Sequence, residues 1–159
     1  MNWARSALAQ LTQGDVALVT ILATEGSAPR DAGTKMVVWA DGQAGTIGGG
    51  NLEHQVVDQA RKMLLTQVHF ALQDYPLGPL LAQCCGGRVR LLIERLDKIA
   101  VDWLTEAARR LDAAQPFEVR TRFNPGALTK TIAPVTASSP DGAPITLAGE
   151  PATARGARP

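Results

Sequence analysis

Apolar residues at the start of the chain recur at helical spacing. Trp3, Ala4, Ala7, Leu8 and Leu11 share one face and predict a short helix, ended by Gly14 and Asp15. Val16 to Ala23 is then nearly all apolar and rich in β-branched residues, which predicts a strand covered on both faces. Gly26 to Arg30 reads as a turn. Lys35 to Ala40 reads as a second strand, and Asp41-Gly42 after it is a hairpin signal. Following the glycine-rich GTIGGG, Gly45 to Gly50, one helical face collects Leu52, Val56, Val57, Ala60, Met63 and Leu64 over about Asn51 to Thr66.

Val68 to Asp74 predicts another strand, and Pro76 and Pro79 interrupt regular structure before Cys84-Cys85-Gly86-Gly87. Val89, Leu91 and Ile93 alternate against Arg88, Arg90 and Glu94, the pattern of a strand with one wet face. Ile99, Trp103, Leu104, Ala107, Ala108 and Leu111 mark a third helix. A further strand is expected where Phe117, Val119, Thr121 and Phe123 alternate with Glu118, Arg120 and Arg122. Helices and strands mix without strict βαβ alternation and no repeat is visible. The expected class is α+β, a mixed β-sheet packed with about three helices in a single domain. Seven of the ten prolines follow Gln115, and from Ser138 the chain is dominated by Pro, Gly, Ala, Ser and Thr. Residues 1–137 are therefore read as the domain and 138–159 as a disordered linker or tail.

Composition narrows the function. Sixteen Lys and Arg against fifteen Asp and Glu leave a net charge of +1, which argues against a general nucleic-acid or polybasic membrane binder. Aromatics are only 4%, so there are few platforms for base stacking. The longest apolar run is far short of the ~20 residues that span a bilayer. The first fifteen residues lack a continuous apolar stretch, so a cytoplasmic location is expected. The only two cysteines, Cys84 and Cys85, are adjacent; a disulfide between neighbours is strained and staples nothing.

Three segments have chemical potential. In GTIGGG, glycines permit positive φ and close approach to a ligand, and a helix start offers free N–H groups and a positive dipole end. The segment suits a phosphate or carboxylate, yet it lacks the Lys-Ser/Thr of a Walker loop and the spacing of a Rossmann fingerprint. A tight strand-to-helix turn explains it equally well. Cys84-Cys85-Gly86-Gly87 can turn one thiol toward a pocket, where Arg88 and Arg90 would favour the thiolate, a soft ligand for molybdenum or copper. Two buried, hydrophobe-like cysteines are the plainer reading. Zinc is disfavoured, because no second Cys pair exists and His54 and His69 are distant in sequence. Ser27 and Arg30, in Gly26 to Arg30, suit an anion at a strand end, or a solvated loop. Glu25, Glu53 and Glu94 are scattered, with no spacing that pairs them for acid–base work.

Taken in order, GSAPRDAGTKMVV, GTIGGGNLE and YPLGPLLAQCCGGRV resemble the XdhC/CoxI family of xanthine dehydrogenase accessory proteins, over about residues 1–125. The resemblance implies a molybdenum cofactor (molybdopterin) chaperone rather than an enzyme. Such a protein holds the cofactor while a cysteine desulfurase partner assists its sulfuration. It then delivers the cofactor to the molybdenum-binding subunit of xanthine dehydrogenase or a related molybdenum hydroxylase. Carried over, Gly45, Thr46, Gly48, Gly49, Gly50 and Asn51 form the cofactor cradle, Ser27 and Arg30 assist, and Cys84 or Cys85 is the molybdenum contact. Asn51 stands where relatives often have Cys. A homodimer is implied too, and an exposed edge strand would suit one. Relatives usually continue into a Rossmann-like domain, and no Rossmann domain is expected within these 159 residues. The rival function is a thiol enzyme, a sulfurtransferase or oxidoreductase using Cys84 or Cys85, although no histidine is tied to them as base. A nucleotide-binding fragment is a third reading, disfavoured by the missing Walker lysine.

Overall fold

The computed structural model describes residues 1–25, 31–76, 87–124, 127–134 and 146–148. Helix α1, Trp3–Leu11, is capped by Asn2, whose side chain accepts a hydrogen bond from the Arg5 N–H. Strand β1, Val16–Glu25, then passes through the centre of the molecule, followed by β2, Lys35–Trp39, and β3, Gly42–Ala44. Helix α2, Gly50–Leu64, leads to β4, Phe70–Pro76, and β5, Arg88–Leu96. A 3₁₀ turn, Lys98–Ala100, precedes α3, Val101–Asp112. Strands β6, Phe117–Asn124, β7, Ala127–Pro134, and β8, Thr146–Ala148, complete the described elements.

These elements make an α+β fold of two sheets. The first is antiparallel in the order β3-β2-β1-β5-β4; the second runs β7-β6-β8, with β8 parallel to β6. The expected strand at 16–23 is central and buried on both faces, as its unbroken apolar run requires. One face of the first sheet sends Ala17, Val19, Ile21, Met36, Val38, Leu91 and Ile93 against α2. The other sends Val16, Leu18, Val37 and Leu96 against α1, α3 and Val119 of β6. Ala107 and Ala108 keep α3 slim where α1 crosses it, and the Asn2 side chain donates to the Ala108 carbonyl at 3.0 Å. No helix among the described residues is long and apolar enough to cross a membrane.

Two expectations need correction. Strand β5 has no fully wet face: Leu92 and Glu94 are as buried as Leu91 and Ile93, because the second sheet and its flanking side chains lie over them. On β6, Glu118 is likewise buried and pairs with Arg120 at 3.0 Å. Ile99 is 87% exposed, since the α-helix begins two residues later and a 3₁₀ turn points it outward. Of the stretch read as linker or tail, residues 146–148 form β8 beside β6; the others lie outside the described residues.

Candidate functional site

Strand register places the segments of interest relative to one another. Glu25, the last residue of β1, lies opposite Arg88, the first of β5, and Arg88 lies opposite Pro76, the last of β4. Antiparallel β2 begins at that same end of the sheet, with Lys35 opposite Thr20, and β3 returns toward it, with Ala44 opposite Val37. Three connections therefore leave from one end of the first sheet: 26–34 between β1 and β2, 45–49 between β3 and α2, and 77–87 between β4 and β5. Ser27 and Arg30 belong to the first connection and Cys84 and Cys85 to the third; all four lie outside the described residues. Gly45, Thr46, Gly48, Gly49, Gly50 and Asn51 are described and sit together in the second connection and the start of α2.

The glycine loop is built around a buried plug and an internal anion. Ile47 is fully buried in the core beneath α2 and pins the loop to the sheet. Gly45 has φ +83°, and a Cβ there would stand 2.7 Å from the Met1 methyl and 3.1 Å from the Lys35 carbonyl oxygen, so glycine is required twice over. Gly49 has φ 78° and ψ −168°, a region that only glycine occupies readily, and the space where its Cβ would be is open. Glu53, in the first turn of α2, turns back onto the loop. Its Oε1 accepts from the Ile47 N–H at 2.9 Å, the Gly49 N–H at 3.2 Å and the Thr46 hydroxyl; its Oε2 accepts from the Gln43 amide at 3.3 Å. The Gly48 N–H donates to the Thr46 hydroxyl oxygen at 3.0 Å.

These contacts change what the loop offers. Burial alone would raise the Glu53 carboxyl, but the hydrogen bonds from Thr46, Ile47, Gly49 and Gln43 outweigh it and hold the group below its usual range. Glu53 is thus an anion in its own cradle. The N–H groups of Ile47, Gly48 and Gly49 are engaged within the loop, and an external anion is left with those of Gly50, Asn51 and Leu52 at the helix start. Sequence reasoning passed over Glu53 as one of several scattered acids. The available signal was its place three residues after a glycine run that opens a helix, where a carboxylate reaches back to free N–H groups. Tyr75, given no role of its own in the sequence, sits two residues before the third connection begins. Its phenol donates to the Gln59 side chain on α2, and burial raises its pKa. Arg88 is exposed at the same end, while Arg90 pairs with Asp74 at 3.2 Å. His54 is exposed on α2, in keeping with a solvated histidine. Among the described residues no three His, Cys, Asp or Glu side chains are grouped as metal ligands would be.

Comparison with known families bears directly on this end of the sheet. The model of the XdhC and CoxI family matches residues 9–76, which include β1 to β4, α2 and two of the three connections. The matched segment is similar to that family over less than half of the chain. The XdhC/CoxI match stops before the cysteine-bearing connection. Among solved structures, the chain is similar to a crystal structure of a xanthine dehydrogenase from Bacillus halodurans, with a TM-score of 0.63 and 25% identity. The likeness covers 79% of this chain and 40% of that one, so this chain corresponds to less than half of that protein. No curated protein matches the chain significantly.

Proposed function

We propose that this XdhC/CoxI domain is a molybdenum cofactor chaperone. It holds the pterin cofactor at the loop-bearing end of the five-stranded sheet for sulfuration with a cysteine desulfurase, then passes it to the molybdenum-binding subunit of xanthine dehydrogenase or a related hydroxylase. The observation that carries this reading is the gathering of three connections at that end, each containing one of the motifs the sequence singles out. The family match and the likeness to the Bacillus halodurans xanthine dehydrogenase structure support the same role.

The chemistry of this end suits such a cargo. The N–H groups of Gly50, Asn51 and Leu52 at the start of a fifteen-residue helix, with the guanidinium of Arg88, favour a terminal phosphate. Glu53 opposes an anion close to Ile47 and Gly49, which directs the phosphate toward the helix start rather than into the loop. Cys84 or Cys85 is the soft donor suited to molybdenum, with Ser27 and Arg30 as further polar contacts. The bound cofactor would supply the metal centre that the receiving enzyme uses. The chain's own residues bind and shield it and hold no catalytic role.

Transfer is the test. The chain purified from cells with an active cofactor pathway should restore activity to cofactor-free xanthine dehydrogenase, in proportion to the molybdenum it holds. Restoration at the same rate by cofactor released from denatured chaperone would sink the delivery role.

A further inference from the structure

On the face of the first sheet turned away from α2, two lysines and one glutamate are enclosed together. Lys130 of β7 donates to Glu94 Oε2 at 2.8 Å and to the Thr121 hydroxyl at 2.6 Å, with its ammonium 5.7 Å from the Trp103 ring. Lys35, the first residue of β2, donates to the Thr20 hydroxyl at 3.2 Å and lies 5.2 Å from the Trp3 ring. Glu94 is 1% exposed, and its second oxygen, Oε1, has no hydrogen-bond partner. The charged groups that act on Lys35 are Glu94 from β5 and Lys130 from β7. The other packed elements present the neutral Thr20, Thr121, Trp3 and Trp103.

The charge count is unbalanced when both lysines are protonated: two ammoniums share one carboxylate inside the protein. With Lys35 neutral the cluster balances. Burial, and then the charge of Lys130, lower the Lys35 pKa to about 7, and the attraction of Glu94 only partly offsets them. The four polar partners come from both sheets: Thr20 and Glu94 from the first, Thr121 and Lys130 from the second.

We propose that the Lys35–Glu94–Lys130 cluster is a proton-operated latch, in which proton uptake on Lys35 loosens the β6–β7 layer from the five-stranded sheet. An opened state exposes Lys35 to water, where its pKa returns to about 10.4. The open state therefore binds more protons than the closed one between the two values. Closure is strongest at alkaline pH and weakens as pH falls toward 7, with little further change below.

Hydrogen exchange of the full chain tests this. After correction for intrinsic exchange rates, amides of residues 117–124 and 127–134 should lose protection by at least about tenfold between pH 9 and pH 6. Amides at the centre of β1 should lose less. Lys35→Met keeps an unbranched apolar stem beside Trp3 and should abolish the dependence. Lys130→Met removes the competing ammonium and should move its midpoint upward. Should either variant fail to fold, titration of the Lys35 ε-carbon signal in wild type serves instead, with a midpoint near 7 expected. Protection of 117–134 that is constant or rises on acidification, or a Lys35 midpoint near 10, would overturn the latch.

Discussion

Glu53 stands where the glycine loop meets α2, and the loop's donors converge on it. Glu53→Ala leaves the Ile47 and Gly49 N–H groups without their acceptor and should destabilise the fold by about 1–3 kcal/mol at pH 7, read by urea unfolding. The pH dependence follows from the lowered carboxyl. Its contribution is complete above the unfolded value of about 4.3 and is lost as pH falls through the lower folded value. Wild type and variant should therefore converge in strong acid. If the gap persists there, the loop does not depend on the carboxylate. At Gly49 the site has room for a side chain, so Gly49→Val isolates backbone conformation. A cost of about 1–3 kcal/mol in thermal or denaturant unfolding is expected from φ 78° alone, and cofactor retention should fall by more than the unfolded fraction explains. A normally stable variant that keeps the cofactor would make the loop a turn and nothing more. In the sequence, the glycines were legible as a place needing special backbone geometry. That their N–H groups are satisfied by Glu53 was not, because a short-range contact between loop and helix leaves no periodicity.

At the scale of elements, α2 is held at both ends: Glu53 at its start, and at its finish Arg95 of β5, whose guanidinium donates to the Met63 and Thr66 carbonyls. The same side chain donates to the Val68 carbonyl at 3.2 Å and pairs with Asp15 at 3.0 Å. Arg95→Ala should cost about 2–3 kcal/mol, and Arg95→Lys should recover only part of it, since one ammonium cannot reach four acceptors in a planar fork. Chemical denaturation of the three proteins checks the ordering; a fully rescued Lys variant would contradict it. The helices and strands β1, β2 and β4 were legible because burial on one or both faces imposes a period that sequence records. β5 was legible as a strand, but its wet face was not read correctly. Arg88, Arg90 and Glu94 look like a solvent face, but Glu94 is covered by the second sheet and neutralised by Lys130, a residue 36 positions away. A long-range ion pair of that kind turns a polar position into a core position without any local sign.

For the whole molecule, the antiparallel order β3-β2-β1-β5-β4 brings the three connections to one end, and α2 begins there as well. The motifs were visible in the sequence. Their convergence was not, because it follows from strand order and register, which alternation along single strands does not determine. Under the proposed function, convergence would make the cofactor a shared ligand of separate segments, so removing one contact should weaken retention without unfolding the domain. Cys84 and Cys85 are neighbours whose side chains should diverge, so their alanine variants should differ: one should lose cofactor, and the other should lose stability by roughly 1 kcal/mol or more. The most direct measurement is the molybdenum and pterin content of the full chain purified from cells with the cofactor pathway active, beside the Cys84→Ala/Cys85→Ala double variant. A chaperone built as described retains pterin and molybdenum together near one per chain in wild type, and the folded double variant retains markedly less. Wild-type protein that is folded yet free of both, or a double variant that holds them equally well, would contradict the account.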